Sequence, residues 1–107
     1  MIARIWHGYT TLFNAEAYEK LLKQEVFTAI AEKQVQGYLG IQLMKRQLDV
    51  EVEFTTIMFF EKLESVKQFA GEDYEFAYVP EKAKALLHRF DKTSIHCEVI
   101  HELFYDL

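Results

Sequence analysis

The stretch from Val50 to Phe60 constrains the fold more than any other part of the chain. β-Branched and aromatic residues dominate it, which predicts a strand. Alternation puts Val52, Phe54, Thr56, Met58 and Phe60 on one face. Glu51, Glu53, Thr55, Ile57 and Phe59 take the other. Towards its end the strand is apolar on both faces, so a sheet built round it needs cover on both sides. Helices of the same chain cover one side. An uncovered apolar patch on the second is a liability for a monomer. The chain has 107 residues, room for one domain (1–107) with a modest core but not for a third layer. A two-fold homodimer is the commonest solution, and it is the assembly expected from burial alone. Nine Phe and six Tyr strengthen that expectation.

The remaining segments supply the other layers. Ile2 to His7 alternates as a strand that stops at Gly8, with Ile2, Arg4 and Trp6 on one face and Ala3, Ile5 and His7 on the other. Asn14 suits an N-cap, and an apolar stripe from Ala17 to Ile30 predicts an amphipathic helix over roughly 14–33. Tyr38 to Gln47 reads as a second strand, with Leu39, Ile41 and Leu43 alternating against Tyr38, Gln42 and Met44. A second helix carries Leu63, Val66, Phe69 and Ala70 and stops at Gly71. Residues 72–92 are irregular, with a short turn or helix over Glu81 to Leu87. Ser94 to His101 is the last strand. The order strand, helix, strand, strand, helix, strand predicts an α+β, ferredoxin-like βαββαβ domain. Its four-stranded antiparallel sheet carries two helices on one face.

Composition removes several function classes. A net charge of −5 without a basic cluster argues against nucleic acid as a partner. No apolar run is long enough to span a membrane, and no leader is visible, so a cytoplasmic location is expected. One cysteine, Cys97, excludes an internal disulfide and a multi-cysteine zinc site. The histidines lack a ligand spacing, so no metal is expected.

The opening Ile2-Ala3-Arg4-Ile5-Trp6-His7-Gly8 also resembles a family, as do Phe69-Ala70-Gly71-Glu72-Asp73, Tyr78-Val79-Pro80-Glu81 and His96-Cys97-Glu98-Val99. Together these are similar to the antibiotic-biosynthesis-monooxygenase-like proteins of the dimeric α+β barrel superfamily. The resemblance covers essentially the whole chain. It implies two ferredoxin-like subunits packed sheet to sheet, each with a cavity beside its own helices. It also implies a monooxygenase-like protein for a flat aromatic ligand, with cofactor-independent oxygenation as one activity. Superfamily members that degrade haem resemble one another in an Asn on the first strand, a Trp on the second helix and a nearby His. Here His7 stands near the first position, Phe69 takes the place of the Trp, and 73–79 contain no His. No cofactor is therefore expected.

Arg4, Trp6, Tyr38, Gln42, Thr55, His96 and Glu98 are expected to converge on one side of the sheet, turned to the partner subunit, with His7 turned towards the helices. For oxygenation, His96 is the candidate base and Arg4 the group that holds an anion. Trp6 and Tyr38 are the stacking walls, with Thr55 and Glu98 beside them as ligand contacts. The competing expectation is structural: Arg4 pairs with Glu98 or Glu53 as a buried ion pair, and the protein is a non-catalytic ligand-binding or stress-associated homodimer. Tyr74, Phe76 and Tyr78 are expected to fasten a loop to the barrel rim or to cap a pocket.

Overall fold

The computed structural model describes residues 1–106. Strand β1 (Ile2–Thr11) runs through the centre of an antiparallel sheet. It pairs along its whole length with β3 (Glu51–Phe60), from Ile2 opposite Phe60 to Thr11 opposite Glu51. Strand β2 (Tyr38–Gln47) forms the far edge beyond β3. The other edge of β1 is shared end to end by two short strands. β4 (Leu87–Phe90) pairs with Gly8 to Thr10, and β5 (Ile95–Glu98) pairs with Ile2 to Ile5. Among the described residues the sheet therefore has five strands in place of the expected four. β4 is only four residues long, and its His88 and Arg89 hide the alternation. Val99 makes one further backbone bond, to Met1, after which 100–106 carry no regular structure.

Among the described residues three helical segments lie on one face. α1 (15–32) follows the expected span but is not uniform: α-helical Ala15–Leu21 and Phe27–Glu32 flank a π-helical turn at Leu22–Val26. Asn14 makes no side-chain cap; its amide donates to the carbonyl of Leu86 instead, at 3.3 Å. α2 (Leu63–Ala70) ends at Gly71 as expected. α3 (Glu81–Lys84) is a single turn.

The register settles which side chains face the helices. Residues directly opposite in a sheet point to the same side. Ile2, Arg4, Trp6, Gly8 and Thr10 therefore share a face with Phe60, Met58, Thr56, Phe54 and Val52. That face meets the helices, so the expected orientation is reversed: Arg4 and Trp6 point inward and His7 points out. A bulge between Tyr38 and Gly40 shifts β2 by one residue. It puts Tyr38 on the inner face with Ile41 and Leu43, and turns Leu39 out to 52 % exposure. The core has two parts. Tyr18, Leu22, Val52 and Phe54 anchor one; Met58, Phe60 and Val66 anchor the other.

β1 does not stop at Gly8, because the glycine serves close packing rather than a turn. A Cβ there would lie 2.8 Å from Cη2 and 2.9 Å from Cζ3 of the Trp6 indole. The bare backbone lets the ring fold over its own strand. Gly8→Ala is expected to lose about 1–3 kcal/mol by overpacking and to shift the emission of the chain's single tryptophan. An unshifted spectrum with unchanged denaturant midpoint would refute this packing.

Candidate functional site

The space between the inner sheet face and the helices is not filled. It holds a cavity of about 540 Å³, the size of a small-molecule site. Arg4, Trp6, Thr56, Met58 and Ser94 form its floor. Leu22, Val26 and Phe27 of α1 and Phe69 of α2 form apolar walls. Leu22 and Val26 are the two ends of the π-helical turn, a distortion frequent at functional sites. Phe76 to Pro80 border the cavity too, with Tyr78 85 % exposed, so this loop forms a rim.

Arg4 dominates the polar chemistry. Its side chain is 6 % exposed. Nη1 donates to the carbonyl of Tyr74 and lies 2.9 Å from Nε2 of His96; Nη2 donates to the carbonyl of Phe76 at 3.4 Å. Arginine has only donors, so Nε2 of His96 is the acceptor and its proton sits on Nδ1. Among the described residues no carboxylate forms an ion pair with Arg4. The expected pairing is therefore absent. Glu53 lies on the opposite face, held by Tyr9 and Arg46. Glu98 is exposed at the strand end, opposite Ile2. Three neutral acceptors thus hold a buried cation with no counter-charge, although burial lowers its pKa. Such a charge is expensive to keep uncompensated, and an anion in the cavity would relieve it.

His96 does not line the cavity. It stands beside Arg4 with its ring edge-on to Tyr74, centroids 5.1 Å apart. Its basic nitrogen is already occupied, so it holds Arg4 in place rather than facing a ligand. Burial first, then the Arg4 charge, keep its pKa below the usual 6.5, with Glu75 acting in the opposite sense. A folded-state pKa below the unfolded value means stability is present above about pH 6.5 and is lost as pH falls through the folded value. Melting curves from pH 7.5 to 5 should show this loss. His96→Asn, whose carbonyl oxygen can still accept from Arg4, should show a shallower slope, and equal slopes would rule the linkage out.

The other expected residues divide. Trp6 lines the cavity, its Nε1 donating to the carbonyl of Asp91 at 2.7 Å. Tyr38 reaches the inner face but not the cavity. It packs on Phe60 with centroids 5.5 Å apart, and Phe60 packs on Phe69 at 5.7 Å. Tyr38 thus supports a wall instead of forming one. Thr55 is not brought to the site at all, for it lies on the outer face opposite His7. Gln42 is on that outer face too, opposite Ile57. His7 pairs there with Asp91, Nδ1 to Oδ2 at 2.7 Å.

Thr56 occupies the place expected for Thr55, and Ser94, Lys33 and Phe69 line the cavity without a local sequence pattern that marks them. The hydroxyls of Thr56 and Ser94 make no hydrogen bond within the described residues, which leaves both free for a ligand. Thr56 lies opposite Trp6, so the pairing register was the missing signal. Among the described residues no group of three His, Cys, Asp or Glu side chains is placed to hold a metal.

An inward-facing arginine and tryptophan, a cavity under the helices and a split ferredoxin-like sheet define a class of small α+β folds with an internal chamber. No family model matches the chain, and no curated protein matches it in sequence. Solved structures do. A protein of Bacillus cereus assigned as an antibiotic biosynthesis monooxygenase superposes with a TM-score of 0.67 at 12 % identity, covering 97 % of both chains. The haem-degrader MhuD of Mycobacterium tuberculosis, solved with two haems in its active site, gives a TM-score of 0.60 at 18 % identity. That match covers 97 % of this chain and 100 % of MhuD. The chain therefore has the antibiotic-biosynthesis-monooxygenase-like fold. Its residues do not fit a histidine-ligated haem. Among the described residues no histidine or cysteine lines the cavity. His7 is bonded to Asp91, His88 to Glu51 and His96 to Arg4, while His101 is exposed in the tail. No helix is long and apolar enough to cross a membrane among the described residues.

Proposed function

We propose that this protein binds a flat aromatic ligand with an acidic hydroxyl and oxidises it with dioxygen without a cofactor. The observation that carries this is the buried, unpaired Arg4 guanidinium at the floor of an apolar cavity. Trp6 and Phe69 offer ring faces for stacking, and the free hydroxyls of Thr56 and Ser94 offer donors. Among the described residues the cavity lining holds no carboxylate and no histidine, so the protein favours the anion by stabilising it at Arg4, with the proton passing to water. The bound anion then supplies the electrons. One passes to dioxygen, the resulting radicals join through a C–O bond at a ring carbon bearing hydrogen, and loss of water leaves a quinone. One phenol and one dioxygen give one quinone and one water.

The missing base favours a second reading, in which the cavity binds such an anion without turning it over. Calorimetric titration with 1-naphthol or anthrone, run beside an oxygen electrode, separates the two. Uptake with quinone absorbance, lost in Arg4→Gln, supports oxygenation. Binding without uptake supports the carrier, and no binding refutes both.

The assembly proposed is a homodimer through the outer sheet face. Ile5, Ile57 and Phe59 are half-buried there, and Ile95 is 57 % exposed. Ile100, Leu103, Phe104 and Tyr105 of the tail are exposed too and add apolar surface for a second copy to cover. Sedimentation at micromolar concentration should give twice the chain mass, and Ile95→Asp should shift it towards the monomer. A wild-type monomer refutes the dimer. The proposed location is the cytoplasm, which suits the free, exposed Cys97.

A further inference from the structure

Lys33, the residue that closes α1, lines the same cavity as Arg4. Its Nζ lies 4.8 Å from the centroid of the Phe69 ring, and Cζ of Arg4 lies 5.9 Å from that same centroid. One aromatic wall is thus flanked by two cations. Arg4 is buried, whereas Lys33 is exposed, so one charge sits at the floor and the other towards solvent. Neither pairs with a carboxylate among the described residues. Lys20, Lys62 and Lys92 are without an ion pair among the described residues as well, but of these cations only Arg4 and Lys33 line the cavity. A cation over a ring is held only weakly, so Lys33 is free to turn from Phe69 to an anion.

We infer that the cavity selects planar aromatic ligands carrying two acidic groups, one seated on Arg4 and the other met by Lys33 at the mouth. The inference rests on the proposed aromatic-anion site and narrows its ligand class. Lys33 is the specificity residue: it discriminates by the presence of the outer anion, while Arg4 holds the inner one. An exposed ion pair contributes less than about 1 kcal/mol, so the expected preference for two acids over one is at most about fivefold.

The test uses 2-naphthoate and 2,6-naphthalenedicarboxylate, which share a ring and differ by one carboxylate. Both are titrated by calorimetry into the wild type, Lys33→Gln and Lys33→Glu. Lys33 is exposed, so neither change disturbs the core, and melting curves confirm folding. The wild type should prefer the diacid by about threefold to fivefold. Lys33→Gln should bring the ratio near one, Lys33→Glu should take it below one, and added salt should shrink the wild-type preference. A diacid preference that survives both substitutions, or no preference in the wild type, overturns the role of Lys33 and leaves the Arg4 site standing. Binding of neither acid overturns both.

Discussion

Arg4→Gln should weaken an acidic aromatic ligand at least about 30-fold while changing a neutral ring of the same shape by less than about twofold. The magnitude follows from the site. Removing one partner of a buried, hydrogen-bonded charge pair costs about 2 kcal/mol or more, and about 1.4 kcal/mol is a factor of ten. The difference between the two ligands is the informative quantity, since a cavity that merely loosened would lose both. Arg4→Lys should fall between, because an ammonium keeps the charge but not the fork that spans Tyr74, Phe76 and His96. Calorimetry on the folded variants reads all three. Equal affinities for acid and neutral ring in the wild type would remove Arg4 as an anion site.

Phe60→Ala should lose about 3–5 kcal/mol, as large-to-small changes at closed core positions do. Phe60 is fully buried, with Met58 and Val66 in its cluster and the rings of Tyr38 and Phe69 on either side. At about 4 °C or more per kcal/mol for a chain near this size, the melting temperature should fall by more than about 12 °C. In urea the midpoint should drop with little change in slope. A loss below about 1.5 kcal/mol would mean that the site collapses freely and the Tyr38–Phe60–Phe69 stack is not tight. Because Phe69 borders the cavity, the same variant should also loosen ligand binding. That links the core to the site through a wall residue rather than through a direct contact.

Much of the architecture was legible because it rests on local pattern. The alternation of β1 and β3, the apolar stripe of α1 and the stop at Gly71 each need only a short window. The fifth strand was not, since Leu87 to Phe90 is a strand chiefly because β1 offers it an edge. The site was half legible. Arg4 and Trp6 stand out on one face of their strand, and both line the cavity. Alternation alone points to Thr55 where Thr56 stands, because a one-residue shift in a strand moves a side chain to the other face. Alternation also groups Tyr38 with Gln42, because it does not reveal the bulge between Tyr38 and Gly40. The bond of His96 to Arg4 joins residues far apart in the chain, so no local pattern shows that its nitrogen is occupied.

The sequence by itself determined the order of strands and helices, the excess of apolar surface over what one small sheet can hide, and the presence of an arginine and a tryptophan on one strand face. Only the tertiary structure decided which way that face points, that a cavity remains beneath the helices, and that Arg4 has no carboxylate partner among the described residues. The physical reason is range. Propensity and periodicity are read within a dozen neighbours. Register, bulges and counter-charges are set by residues such as His96, Tyr74 and Phe76, which meet Arg4 only after the chain has closed upon itself.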